Sequence, residues 1–177
     1  YKLREQNPSD LCSLLRAARF LYLNRHCFNG IYRENMRGEF NVPRGKRTGA
    51  LPSEAELYRA SYALRGTEIV DGDFEDTKKF AKLGTFYYLD PPYDYTGRID
   101  RGEYGSGSFN KFDIERLGAF LEVIDKRKSL FVLSYLKSSD VELIADRWNT
   151  EELSVKRQVA SFSKYRVPIQ ELLISNF

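Results

Sequence analysis

Two hydrophobic rhythms alternate along this chain of 177 residues. Leu11, Leu14, Leu15, Ala18 and Leu21 recur at helical spacing, and Ser9-Asp10 after Pro8 is a helix-start signal. A helix of about four turns is expected over 11–22, with Arg16 and Arg19 on its wetter side. Ser53 and Glu56 form a capping box that opens a short amphipathic helix ending near Leu64. Glu68-Ile69-Val70 reads as a short strand, and 71–76 as an acidic turn entering a helix. Phe86-Tyr87-Tyr88-Leu89, four apolar or aromatic residues in a row, predicts a buried strand. Leu117, Phe120, Leu121 and Ile124 mark a helix with Asp113 as its cap. A second buried strand follows over 129–134, then a short helix over 140–148. Two β-rich runs, 154–161 and 171–177, flank a long loop carrying Lys164, Tyr165 and Arg166. Strand, helix, strand, helix, strand and hairpin make the second half of an open α/β sheet.

Two stretches break these rhythms. Residues 24–47 hold three glycines, four asparagines, six Lys/Arg and interleaved aromatics, with no sustained period. Long aperiodic segments in compact domains are usually functional or disordered, and the aromatic content argues against disorder. Residues 94–108, rich in glycine and polar side chains, resemble a flap over a strand end. Gly105-Ser106-Gly107 there is no phosphate fingerprint, since no strand feeds it.

Composition changes this picture little. At 42% hydrophobic and 30% charged the chain is an ordinary globular one. No apolar run approaches the roughly 18 residues of a membrane span. Cys12 and Cys27 make neither a disulfide framework nor a zinc site, and no metal site is expected. Charge changes it more. Residues 1–66 carry twelve Lys/Arg against six Asp/Glu, whereas 67–177 carry sixteen against nineteen. The positive field lies in the first third, where it favours a polyanion. Charge thus divides the chain into a basic region, 1–66, and a weakly acidic one, 67–177.

The candidate chemistry lies where the first strand stops, at Asp90-Pro91-Pro92-Tyr93. Neither proline can donate a ladder hydrogen bond, and each holds φ near about −65°, so the chain leaves the sheet as a stiff corner. One carboxylate and the Pro91 carbonyl can each accept a hydrogen of an exocyclic amine, and the Tyr93 ring can cover a planar face. A nucleobase amine fits that set. The alternative for the same residues is a strand followed by a proline-stiffened turn. Ligands of open α/β sheets bind outside the carboxyl ends of strands, where both Asp90 and Ser134 fall.

Asp90-Pro91-Pro92-Tyr93, together with Phe20-Leu21-Tyr22-Leu23-Asn24-Arg25, Phe28-Asn29-Gly30, Arg33, Arg37-Gly38-Glu39-Phe40-Asn41-Val42-Pro43 and Gly45, resembles the Dam-type (D12 class) adenine-N6 DNA methyltransferases. The resemblance implies a Rossmann-like methyltransferase sheet, incomplete at its N-terminal half, with an inserted, mainly helical DNA-recognition region. It implies S-adenosylmethionine as donor and double-stranded DNA as partner. The target adenine would be flipped out of the duplex and methylated directly, without an enzyme nucleophile. Asp90, Pro91, Pro92 and Tyr93 would be catalytic, and Asp90 and Phe74 would contact the cofactor. Asn29, Ile31, Arg33, Arg37, Asn41, Pro43 and Lys46 would face DNA, with GATC as target. Arg44, where relatives often carry an aromatic, and Lys46, where an arginine is common, depart from the pattern. The glycine-rich strand-loop of the family is not found, so the chain is expected to be a C-terminal portion. A further N-terminal segment of the same protein would complete the cofactor pocket, and the portion alone is expected to be slow or inactive. A bacterial cytoplasmic setting, in restriction-modification or prophage biology, follows from the same likeness. Competing readings are a DNA-binding remnant without activity, and methylation of another planar amine or amide.

Overall fold

The computed structural model describes residues 2–35, 37–46, 49–92, 109–156 and 168–177. It divides into two compact units, one within 1–70 and one from 71 onward.

The first unit holds three helices, α1 (Lys2–Glu5), α2 (Ser13–His26) and α3 (Glu54–Ala63). Pro8–Asp10 forms a separate single 3-10 turn, capped by the Asn7 side chain, so α2 starts later than the sequence suggests. It also runs further, through Asn24, Arg25 and His26. Its wet and dry sides differ from expectation: Leu14 and Leu15 are exposed, whereas Arg19 is 4% exposed. The Arg19 guanidinium explains the reversal. It donates to the carbonyls of Leu3 and Arg4, each at 2.9 Å, and to the Tyr32 hydroxyl at 3.3 Å. A buried cation is tolerable when its donors are matched in this way. Leu23, Cys27, Phe40 and Val42 form a small core with Tyr32 against it. The capping box of α3 is formed by Ser53 and Glu56, yet α3 buries none of its residues. Glu68-Ile69-Val70 is not a strand; its backbone has no regular structure and Ile69 is 77% exposed.

The second unit is a sheet with helices on one face. Its elements are β1 (Phe86–Leu89), α4 (Lys111–Lys126), β2 (Leu130–Leu136), α5 (Ser139–Ala145), β3 (Asn149–Lys156) and β4 (Pro168–Ser175). The strand order is β1-β2-β4-β3, with β1 parallel to β2 and β4 antiparallel to both its neighbours. A reversed strand is thus inserted between strands that run the same way. The register places Leu89 beside Leu133, and Leu133 beside Ile174. Phe131, Leu133 and Tyr135 of β2 alternate onto the face carrying Ile114, Leu117, Phe120, Leu121 and Ile124 of α4, and together they make the main core. Asn110, not Asp113, caps α4; Asp113 is the reciprocal member of the capping box. Nor is β1 buried on both faces: Tyr87 points inward, but Phe86 and Tyr88 are 55% and 65% exposed. The last two strands begin earlier than their apolar runs suggest, at Asn149 and Pro168, so Pro168 to Gln170 are strand, not loop. The expected flap over 94–108, the end of the first β-rich run at 157–161 and the loop residues 162–167 lie outside the described residues.

Asn176 closes the sheet end. Its side chain accepts from Phe131 N–H at 2.9 Å and donates to Asp125 at 2.7 Å and to the Ser129 carbonyl at 2.9 Å. The Trp148 indole reaches the same Asp125 carboxylate at 3.4 Å.

Candidate nucleic-acid interface and catalytic corner

In the first unit, the basic segment is a laced loop and not a free one. Phe28 N–H donates to the Pro43 carbonyl at 2.9 Å, and Gly45 N–H to the His26 carbonyl at 2.8 Å. Gly45 tolerates no side chain: a Cβ there would lie 2.7 Å from the Cys27 carbonyl oxygen. Between these ties the chain turns back on itself. Asn35 holds that turn, accepting from the backbone N–H groups of Arg37 and Glu39 at 2.9 and 3.0 Å while its amide donates to Glu39. Asn41 N–H reaches the Arg33 carbonyl at 3.2 Å. The Tyr32 ring lies 4.9 Å from each of Phe20 and Phe40, tilted against both, and its hydroxyl donates to Glu34 at 3.1 Å. Burial raises the pKa of the Tyr32 hydroxyl above its ordinary value.

All seven residues expected to face DNA sit in this unit. Asn29 is exposed and adopts φ 59°, left-handed, next to Gly30 at φ 68°. It therefore has a conformational role of its own, because asparagine enters that region more readily than most residues. Ile31 and Arg33 are half-buried; Arg37, Asn41, Pro43 and Lys46 are exposed. Among the described residues, the side chains of Arg33, Arg37 and Lys46 make no ion pair, and none of the salt bridges found lies in this unit. Arg37 and Lys46, exposed and without ion pairs among the described residues, leave their field directed at solvent.

In the second unit, Asp90 follows the last residue of β1 and lies at the carboxyl end of the parallel pair. It is exposed and, among the described residues, forms no hydrogen bond or ion pair. Pro91 is half-buried and Pro92 exposed. Tyr93 lies outside the described residues. Beneath the corner, the Tyr135 hydroxyl of β2 donates to the Pro92 carbonyl at 3.3 Å. The Tyr135 ring packs 6.1 Å from Phe109, and Phe109 6.2 Å from Phe74. A line of aromatic contacts thus links Phe74 to the corner.

Phe74 opens a 3-10 stretch, Phe74–Phe80, capped by the Asp73 carboxylate. One side of its ring is covered by the Arg116 guanidinium at 4.9 Å, and Phe120 meets it edge-on at 5.5 Å. Arg116 also pairs with Asp73 at 2.6 Å, Glu75 at 2.9 Å and Asp113 at 3.0 Å. The Arg116 guanidinium holds the Asp73 carboxyl below the usual carboxylate range, and Lys78 with Arg116 does the same for Glu75. The family resemblance pointed to Phe74, whereas Tyr135 and Arg116 were missed. Each comes from a different element, and no local pattern ties them to the corner.

The chain is similar to known proteins over most of its length. The family described as D12 class N6 adenine-specific DNA methyltransferase matches residues 1–161. A Type II methyltransferase, M.MjaIII, of Methanocaldococcus jannaschii is 33% identical over the whole of this chain and 64% of its own length. The DNA adenine methylase of Serratia marcescens is 33% identical over 98% of this chain and 65% of its own. That of Escherichia coli K12 is 28% identical, with 63% of its length covered. The chain thus spans about 64% of the length of such relatives. From its first residue to 161, the chain belongs to the D12 class of N6 adenine-specific DNA methyltransferases.

Proposed function

We propose that this chain forms the recognition and catalytic parts of a site-specific adenine-N6 DNA methyltransferase, with residues 1–66 reading the duplex and 67–177 acting on the flipped base. The observation that carries the reading is the exposed Asp90 carboxylate, without a partner among the described residues, at the carboxyl end of β1 beside two prolines. A carboxylate there and the Pro91 carbonyl can accept both hydrogens of the adenine amine. They would hold its nitrogen lone pair in one direction. Tyr93 would stack on the base, a contact worth about 1–3 kcal/mol. Rate enhancement would come chiefly from positioning.

S-adenosylmethionine, when bound, supplies an electrophilic methyl group on a sulfonium centre. The described residues suit part of it. Asp90 offers an anionic group to a cationic ligand, and Phe74 offers a half-buried aromatic edge beside Asp73. One side of the Phe74 ring is already taken by Arg116, so the adenine end would meet only the remainder. A further segment of the same protein would complete the pocket, an idea supported by the relatives' greater length and by the free edge of β1 among the described residues.

Arg33, Arg37 and Lys46 would contact phosphates or guanine edges, and Asn29 and Ile31 would enter the opened duplex. The DNA adenine methylases among the relatives make GATC the first target to try. The test is transfer of labelled methyl groups to a GATC duplex by the whole protein and its Asp90→Ala variant. Transfer should vanish in the variant while duplex affinity stays unchanged. A wild type that binds the duplex but transfers nothing would instead favour a DNA-binding remnant.

A further inference from the structure

The corner at Asp90-Pro91-Pro92 has an unusual problem of support. Ladder pairing of β1 with β2 ends at Leu89 and Leu133. Beyond it, two consecutive residues have no N–H, so the backbone cannot tie itself down by donating. Only a donor aimed at a carbonyl can fix the corner from outside.

Tyr135 is such a donor. It lies on β2, two residues beyond Leu133 on the same face, and is 1% exposed. Its hydroxyl donates to the Pro92 carbonyl at 3.3 Å. Its ring packs on Phe109, the first described residue after the interval that follows Pro92, and Phe109 is itself buried. Tyr135 therefore holds the chain on both sides of that interval. Because each proline fixes its own φ, holding the Pro92 carbonyl restricts the orientation of the Pro91 carbonyl one peptide earlier.

We infer that Tyr135 is a positioning residue of the methyl-transfer step, its hydroxyl fixing the Pro92 carbonyl so that Asp90 and the Pro91 carbonyl keep a constant aim at the amine. The inference rests on the proposed function for its catalytic half. Its geometric half stands apart. At 3.3 Å the bond is long for an O–H donor, as hydrogen bonds at catalytic corners often are before substrate arrives.

Tyr135→Phe removes the hydroxyl and keeps the ring, so the fold is retained and the thermal midpoint shows it. Two measurements then apply. Pro92 is the only proline in this sequence followed by tyrosine. Carbon-13 carbonyl proline combined with nitrogen-15 tyrosine therefore reports a single peptide of the chain, Pro92–Tyr93. Its carbonyl resonance should move upfield in the variant, as expected when a hydrogen bond to it is lost. In the whole protein, single-turnover transfer to the target duplex should fall about tenfold to a hundredfold, the range expected for a misplaced reactant. The Kd for the duplex should stay within twofold of the wild type. An unmoved carbonyl resonance overturns the hydrogen bond. A moved resonance with an unchanged transfer rate overturns the positioning role. A wild type without any transfer overturns the enzymatic reading itself, and the carbonyl resonance still decides the contact.

Discussion

Arg19 shows how one side chain can reverse the reading of a helix. Its charge assigns it to water, although its neighbours at helical spacing are Leu15, Arg16, Tyr22 and Leu23. In the fold its N–H groups are what matter: two carbonyls of α1 and one phenol of the basic segment converge on it. Such a convergence is invisible in sequence, because Leu3, Arg4 and Tyr32 lie 13 to 16 residues away. Arg19→Lys keeps the charge but cannot reproduce the planar fork. At least one buried acceptor then goes unmet, which costs about 1–3 kcal/mol. Urea unfolding of the variant should show that loss in its midpoint. A midpoint equal to the wild type's would mean that α1 is not anchored by this residue. Asn29 carries a related lesson. With φ at 59°, its replacement by a β-branched residue disturbs the loop whether or not it touches DNA, so only Asn29→Gly is a clean probe of contact.

At the scale of elements, the helices that bury a stripe were legible and the exposed strands were not. The spacing of Leu117, Phe120, Leu121 and Ile124 placed α4 because one face of it meets the sheet. Asn149-Thr150-Glu151-Glu152 gave no such signal, since β3 is held by its pairing with β4 and leaves much of itself exposed. Glu68-Ile69-Val70 failed in the opposite sense: its β propensity finds no strand to pair with. The acidic turn before β1 was legible as a helix entry, but its real function in the fold is to surround Arg116. Asp73 and Glu75 have folded pKa values depressed below their ordinary 3.8 and 4.5. A depressed carboxylate contributes its stability above its unfolded pKa and loses it as pH falls through its folded value. The contribution of this cluster is therefore constant above about pH 5 and declines below pH 4.5. Arg116→Gln should flatten that acid-side decline in urea midpoints measured from pH 7 to pH 3. An equally steep decline in the variant would assign it to other carboxylates. Thermal melts at pH 7 locate the same loss as a lower midpoint, since there the pairs are fully formed.

Across the whole molecule, ion pairing is distributed as unevenly as charge. Every salt bridge found among the described residues lies in the second unit, where Arg116, Lys137 and Arg147 answer nearby carboxylates. The first unit has an excess of cations and none of those pairs. Arg37 and Lys46 are exposed and make no ion pair among the described residues, so on the proposed function their charge is available to a polyanion. Counterion release then makes duplex affinity fall with salt in proportion to the phosphates neutralised. If Arg37 and Lys46 each meet a phosphate, Arg37→Ala and Lys46→Ala should each lower the slope of log affinity against log salt by about one. Both should weaken GATC and unrelated duplexes alike. Arg33→Ala should behave differently if Arg33 reads a base edge: affinity for the target should fall by about 1–3 kcal/mol while nonspecific binding barely changes. Fluorescence anisotropy over a salt series with two duplexes separates the outcomes. Equal losses on both duplexes for all three variants would place Arg33 on the backbone and move sequence reading to other residues of the loop.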